Sequence, residues 1–236
     1  MAEKKTAAIQ GGDPAELVVA KAKDFWERNS KLISIVFAAL VLGVGGYYVY
    51  KNYVQKPKEE KAIDAMFRAE EYYRNDSVKL ALQGDGQSLG FVKLAEKYDG
   101  TDAGNLACFY AGVCYLKIDD NQNAIKYLKK FSTSSKPVKA RVLKLLGDAN
   151  GDLGKYAEAL DYYKQSASTF EADKENSAEA LFLAAYLSDK VLKNQKEAIG
   201  LYTELRQKYP NVNVGDKLGS QLADAYLAEL GVYNVE

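Results

Sequence analysis

The sequence predicts an all-α protein: a single transmembrane helix followed by a solenoid of stacked helical hairpins. Two observations carry that reading. Leu32 to Tyr50, LISIVFAALVLGVGGYYVY, runs nineteen residues without a charge. Beyond residue 100 the chain repeats itself at an offset of 35 residues, each copy holding two apolar-periodic segments joined by a polar turn. A third observation limits the chemistry. The 236 residues carry 32 basic and 32 acidic side chains and no histidine, so nothing argues for a nucleic-acid partner, and the commonest general base and metal ligand is absent.

The chain divides into residues 1–31, 32–50, 51–61 and 62–236. The first stretch begins as a tail with Lys4, Lys5, Gly11 and Gly12. Asp13 and Pro14 then form a helix-start signal, an N-cap followed by a first-turn proline. Leu17, Val18, Ala22, Phe25 and Trp26 share one broad side of the next segment. It reads either as a short amphipathic helix in the membrane interface or as a continuation of the membrane helix.

At about 1.5 Å per residue, Leu32 to Tyr50 covers roughly 28 Å, close to the ~30 Å of a bilayer's hydrocarbon core. The run is apolar on every face and ends in Tyr47, Tyr48, Tyr50 and Tyr53, residues suited to a membrane interface. The polar region before it is too long, and its end too bulky, for a cleavable signal peptide, so an uncleaved anchor in the lipid bilayer is expected. Lys21, Lys23, Arg28 and Lys31 before the run balance Lys51, Lys56, Lys58 and Lys61 after it. The flanking charges therefore leave the orientation open.

Residues 51–61 read as a linker or a helix continuation. Ala62, Ile63, Met66, Phe67, Ala69 and Tyr73 then recur at helical spacing. Gly84, Gly86 and Gly90 mark a turn; they lack the spacing, the preceding strand and the Lys-Ser/Thr of a phosphate-binding loop. Cys108 and Cys114 lie on one predicted helix with Cα atoms about 9 Å apart, beyond the ~7 Å limit of a disulfide. They are read as small buried apolar residues.

In the repeats, AGVCYLKIDDNQNAIKYLKKF from Ala111 lies over LGDANGDLGKYAEALDYYKQS from Leu146 without a gap. Gly112 falls on Gly147 and Ala124 on Ala159. A third copy, QKEAIGLYTELRQKYP from Gln195, brings Ala198 and Tyr202 onto Ala159 and Tyr163. The small residues permit close antiparallel packing of two helices. Tyr115, Leu128, Phe131, Tyr156, Tyr163 and Tyr202 are expected to fill the space between neighbouring hairpins. A lone hairpin cannot bury its apolar face, so the copies must stack, and Val214 to Leu230 reads as the terminal helix over the exposed end.

This pattern resembles the tetratricopeptide repeat. The second copy carries the resemblance most fully, with Leu146 and Gly147 on the first helix, Gly154 and Tyr156 at the turn, and Ala159 and Tyr163 on the second helix. Pro210 stands where that family closes its repeat. Asn150 and Tyr186 depart from the pattern, which usually has an aromatic residue and a glycine there. Phe91 to Thr101 resembles the second helix of a degenerate first repeat. In that family the first helices of successive repeats line a groove for peptides and partner helices. The resemblance thus implies a groove formed by Phe109, Val113 and Leu116, then Arg141, Lys144 and Asp148, then Leu183 and Leu187. Asp148 stands where members that grip a chaperone's terminal carboxylate would need an asparagine, and its charge would repel that ligand.

A tail, an uncleaved span and such an array together resemble the YfgM-like proteins of bacterial inner membranes, as do the stretches KDFWERNSKLISI and LAEKYDGTDAGNLA. That resemblance implies an ancillary factor of the SecYEG protein-export translocon that also meets a membrane-anchored periplasmic chaperone, with a cytoplasmic N-terminus and a periplasmic array. A cytosol-facing receptor or assembly factor for another membrane complex is the alternative. Apolar edges of such stacks also pair copies of one chain, which makes a homo-oligomer a further expectation. No cofactor or metal motif is found. An enzyme would have to rely on acids such as Asp119 and Asp120, which lie in a polar turn where solvated acids are usual.

Overall fold

The first segment is charged up to Lys31 and apolar on every face from Leu32 to Tyr50. In the computed structural model, which describes residues 14–233, helix α1 spans Pro14–Tyr50. The segment before Leu32 thus shares one helix with the apolar run. Ile35, Phe37, Leu42 and Val44 are all more than 60 % exposed, and the helix is long and apolar enough to cross a membrane. Tyr47, Tyr48, Tyr50 and Tyr53 stand exposed at its end, where the backbone widens into a π-helical turn over Lys51–Gln55. The tail with Lys4 and Lys5, the Asp13 cap and the terminal Glu236 lie outside the described residues, as does the side chain of Leu17.

The second compact unit, Lys58–Glu236, is built of helices packed in sequence order. They are α2 (Lys56–Arg74), α3 (Val78–Gln83), α4 (Phe91–Lys97), α5 (Asp102–Lys117), α6 (Asn121–Lys130), α7 (Lys136–Asp152), α8 (Tyr156–Thr169), α9 (Lys174–Tyr186), α10 (Gln195–Lys208) and α11 (Gly219–Glu229). A π-helical turn, Leu187–Val191, extends α9, and two short antiparallel strands, β1 (Asn213–Val214) and β2 (Lys217–Leu218), precede α11. The result is an all-α stack of hairpins, α5 with α6, α7 with α8, and α9 with α10.

Each hairpin closes on the same turn. Asp119, Gly154 and Lys193 occupy equivalent positions, and all have positive φ, at 60°, 72° and 56°. The next amide reaches back to the helix just ended: Asp120 N–H to Tyr115 O, Lys155 N–H to Asn150 O, Asn194 N–H to Ser188 O. This is the left-handed cap that satisfies orphan carbonyls at a helix end. Asp120 and Asn194 then cap the next helix by accepting from Asn123 N–H and Glu197 N–H. The two turn acids singled out in the sequence are therefore parts of a helix corner.

The same corner recurs at Asp76, with φ of 56° and a bond from Ser77 N–H to Tyr72 O. Helix α2 is thus the first helix of an additional repeat unit, and Ala69 and Ala81, both fully buried, stand where Gly112 and Ala124 stand in the next. The sequence reading placed that unit's second helix at Phe91 to Thr101. In the structure the second helix is interrupted: α3 begins it, a loop from Gly84 to Gly90 leaves it, and α4 resumes it. Asp85 pins the loop by accepting from Gln87 N–H, Ser88 N–H and the Tyr72 hydroxyl.

Close approach within the hairpins rests on the paired small residues. A Cβ on Gly112 would lie 2.6 Å from Cγ of Leu128, and one on Gly147 would lie 2.6 Å from Cε1 of Tyr163. Leu128 and Tyr163 are repeat equivalents, so one large side chain enters one glycine-lined hollow in both copies. Ala124, Ala159 and Ala198 are fully buried, as is Tyr202. Tyr115 and Phe131 are half-buried, Tyr115 stacking on Tyr127 at 5.5 Å. Pro210 comes after α10, and its carbonyl accepts from Ser220 N–H and Oγ. Tyr156 corrects the sequence reading: it is 40 % exposed, because it is the first residue of α8, and the buried face of that helix begins only at Ala159. Cys108 and Cys114 are free and buried. Helix α11 covers the last hairpin through Leu222, Ala223 and Leu227.

Candidate functional site

The first helices of the hairpins, α5, α7 and α9, carry the eight residues that the repeat pattern assigns to a groove. On α5, Phe109, Val113 and Leu116 are half-buried. Phe109 also packs, its ring 5.3 Å from Phe131 and 5.8 Å from Tyr110. With Leu116 it lies against the small cluster of Leu128, Val142 and Leu146 that joins the second hairpin to the first. Val113 and Leu116 keep part of their apolar surface in solvent.

On α7, Arg141 is exposed, and Lys144 and Asp148 come next at helical spacing. Lys144 Nζ lies 3.6 Å from Asp148 and 3.1 Å from Glu179 of α9. The lysine therefore bridges two consecutive first helices. Burial pulls the lysine toward neutrality, but Asp148 and Glu179 outweigh it and hold its pKa above the ordinary value. Asp148 is also raised, first by burial and further by Glu179, although Lys144 and a 2.9 Å bond from the Tyr163 hydroxyl oppose this. Both values rise, so the lysine is held charged by its two acids while burial works against the charge of Asp148. The tyrosine hydroxyl that enters the glycine-lined hollow thus also fixes a charged group of the wall.

On α9, Leu183 is half-buried and packs against the C-terminal core, while Leu187 is only 9 % exposed and belongs to that core. Leu187 follows Leu183 by one helical turn and opens the π-helical turn, and its side chain is taken up by the C-terminal core. Of the predicted set, Lys144 meets Asp148, Leu116 lies against Val142 and Leu146 of α7, and Val113, Arg141 and Leu183 keep exposed surface on their own helices. Glu179 joins the set through Lys144. Its residue type alone gives no signal, since one acid among the charges of a helix is common, but its spacing from Leu183 by one turn places it on the same face.

Sequence reasoning also missed the apolar surface at the start of the array. Ile63 and Phe67 of α2 are 57 % and 63 % exposed and meet Leu106 of α5 in a groove of about 350 Å³. The signal lay in the repeats: once Asp76 is recognised as a hairpin corner, α2 becomes a first helix, and its outward residues become candidates for the wall. Among the described residues, no three histidine, cysteine or acidic side chains cluster in a way that would hold a metal ion.

The chain is similar to the tetratricopeptide repeat at residues 107–134 and 179–211, which hold the first and third of the three copies. No curated protein matches the chain. Repeats of this kind imply a scaffold for protein–protein interaction, and the exposed apolar and charged side chains of the wall are of the mixed type that such a role uses.

Proposed function

We propose that the chain is a single-pass scaffold of a bacterial inner membrane, with a cytoplasmic N-terminus and a periplasmic array. It serves as an ancillary factor of the SecYEG export translocon and gathers a membrane-anchored periplasmic chaperone beside it. One observation carries the reading: a solvent-exposed apolar helix of membrane-spanning length precedes an array that is similar to a protein-binding repeat. The choice of translocon and orientation is supported by the likeness of KDFWERNSKLISI and LAEKYDGTDAGNLA to the YfgM-like proteins.

Anchoring has a defined physical consequence. Confinement to the membrane raises the effective concentration of the array near other membrane proteins, so a weak wall contact suffices for occupancy. A partly exposed wall of mixed character fits transient contact with several clients better than permanent assembly.

Capture of the intact protein from gently solubilised inner membranes tests the reading. Translocon or chaperone subunits are the expected co-purifying species, and recovery of neither while the translocon itself stays intact overturns it. Orientation is tested with a cysteine introduced as Tyr233→Cys, since Tyr233 is 73 % exposed and the native cysteines are buried. A membrane-impermeant thiol reagent admitted only to the periplasm should label it. Labelling only after the inner membrane is opened would instead make the array a cytosolic receptor.

A further inference from the structure

The groove at the start of the array has a composition that selects its occupant. Its floor is Ile63, Met66 and Phe67 of α2 with Leu106 of α5, and its edge carries Glu70 and Asp102. Among the described residues, no lysine or arginine lines it. Glu59, also at the edge, accepts from Asp102 N–H and Ala103 N–H at 2.7 and 2.8 Å and so closes the first turn of α5. Glu60 and Asp64, one helical turn apart and both exposed, add two more acids along α2 beside Ile63 and Phe67. Among the basic groups of α2, Arg68 pairs with Glu71 at 2.6 Å and Lys58 donates to Asp99 O at 2.6 Å, while Lys56 and Lys61 are exposed.

Burying one face of α2 explains Ala62, Met66 and Ala69, all within 3 % of full burial, but not Ile63 and Phe67. Two large apolar residues one turn apart on an exposed helix face, opposite a leucine on a parallel wall, match the spaced pockets that receive a helix. The acidic edge would repel an acidic or neutral-to-negative segment and attract a cationic one.

We propose that this groove docks a short amphipathic helix of a partner protein, apolar along one side and flanked by lysine or arginine. The proposal rests on the protein-binding reading of the array and assigns a partner chemistry to the end that neither repeat match covers. Apolar anchors from the partner fill the floor between Phe67 and Leu106. Its basic flanks meet Glu70, Asp102, Glu60 and Asp64.

The test uses the full chain in phosphatidylcholine nanodiscs, titrated with two fluorescein-labelled synthetic helices. Both carry leucine at i, i+3, i+4 and i+7; one is flanked by lysines, the other by glutamates. The lysine helix should bind at least tenfold more tightly, with the gap narrowing as salt rises. The double variant Ile63→Ser/Phe67→Ser should weaken it at least tenfold, and Glu70→Lys should remove most of the preference. Asp161→Ala, exposed on α8 and outside the wall, should leave it unchanged. Ile63→Ser/Phe67→Ser and Glu70→Lys should both keep the wild-type far-ultraviolet circular dichroism. Equal affinity for the two helices, no binding of the lysine helix, or indifference to both variants overturns the proposal. So does a dimer in sedimentation that Ile63→Ser/Phe67→Ser converts to monomer, since the groove would then be filled by a second copy. Failure to recover translocon or chaperone subunits with this binding intact would sink the proposed cellular role and not the groove. Loss of this binding with those subunits recovered would sink the groove alone.

Discussion

Replacing Gly147 by alanine tests the packing on which the hairpins depend. In an open helix, glycine to alanine stabilises by about 1 kcal/mol, because alanine loses less backbone entropy. At Gly147 the new methyl would lie 2.6, 2.7 and 3.1 Å from Cε1, Cδ1 and Cζ of Tyr163. The ring cannot simply turn aside, since it is 8 % exposed and its hydroxyl is held 2.9 Å from Asp148. Either α7 and α8 separate or the tyrosine leaves its rotamer, which costs about 1–3 kcal/mol. Less the propensity gain of about 1 kcal/mol, Gly147→Ala should destabilise by up to about 2 kcal/mol. Gly200, in the middle of α10, supplies the contrast, because a methyl added there would meet nothing within 4 Å. Gly200→Ala should stabilise by about 0.5–1 kcal/mol. Urea unfolding of the full chain in detergent, followed by circular dichroism at helical wavelengths, reads both. Truncating the ring with Tyr163→Ala should return Gly147→Ala to the stabilising sign, a coupling that a double-mutant cycle measures. If Gly147→Ala stabilises as Gly200→Ala does, the hairpins are not held at this close approach.

Other perturbations have defined outcomes. Thr101 is 2 % exposed and its hydroxyl accepts from Gly104 N–H at 2.9 Å while donating to Tyr98 O at 2.6 Å, so Thr101→Ala should cost about 1 kcal/mol and lower amide-exchange protection at the start of α5. Lys144→Ala should cost about 1 kcal/mol in the same urea assay, a value discounted for the partial exposure of its partners. Bonds from Ser88 N–H, the Tyr72 hydroxyl and Gln87 N–H lower the Asp85 carboxyl to about 2. A depressed acid adds stability above its unfolded value, near 4, that is lost as pH falls toward 2, so Asp85→Asn should flatten the acid limb of a stability profile. Burial raises the Tyr163 and Tyr202 phenols above their ordinary value of 10.0, so their contribution is complete below pH 10 and declines as pH rises beyond it. Tyr163→Phe should therefore flatten the alkaline limb.

Much of this architecture is legible in the residues themselves. Gly112 with Leu128 and Gly147 with Tyr163 share one offset because a large side chain needs the same hollow each time it recurs. The apolar run from Leu32 to Tyr50 is legible for a simpler reason, since no soluble packing partner could cover all its faces. Other features depend on geometry that composition does not encode. The interruption between α3 and α4 results from Asp85 gathering two backbone amides and a tyrosine from α2, a contact across the chain. Leu187 keeps the spacing of a wall residue, but the C-terminal core takes up its side chain. Lys193 adopts a left-handed conformation where the preceding copies have aspartate or glycine, so its turn is not marked by its residue type. The groove between α2 and α5 is hidden for the same reason: Asp76 gives little sign of a corner until its φ is known.

Whether the first helices of the array capture proteins is tested most directly by photocrosslinking in living cells. A photoreactive amino acid is placed at Arg141, exposed on α7, and in a second strain at Asp161, exposed on α8. Discrete protein adducts are expected from position 141 and none from position 161. Adducts of equal yield from both positions, or none from position 141 in a chain that is still inserted in the membrane, would contradict capture by the first helices.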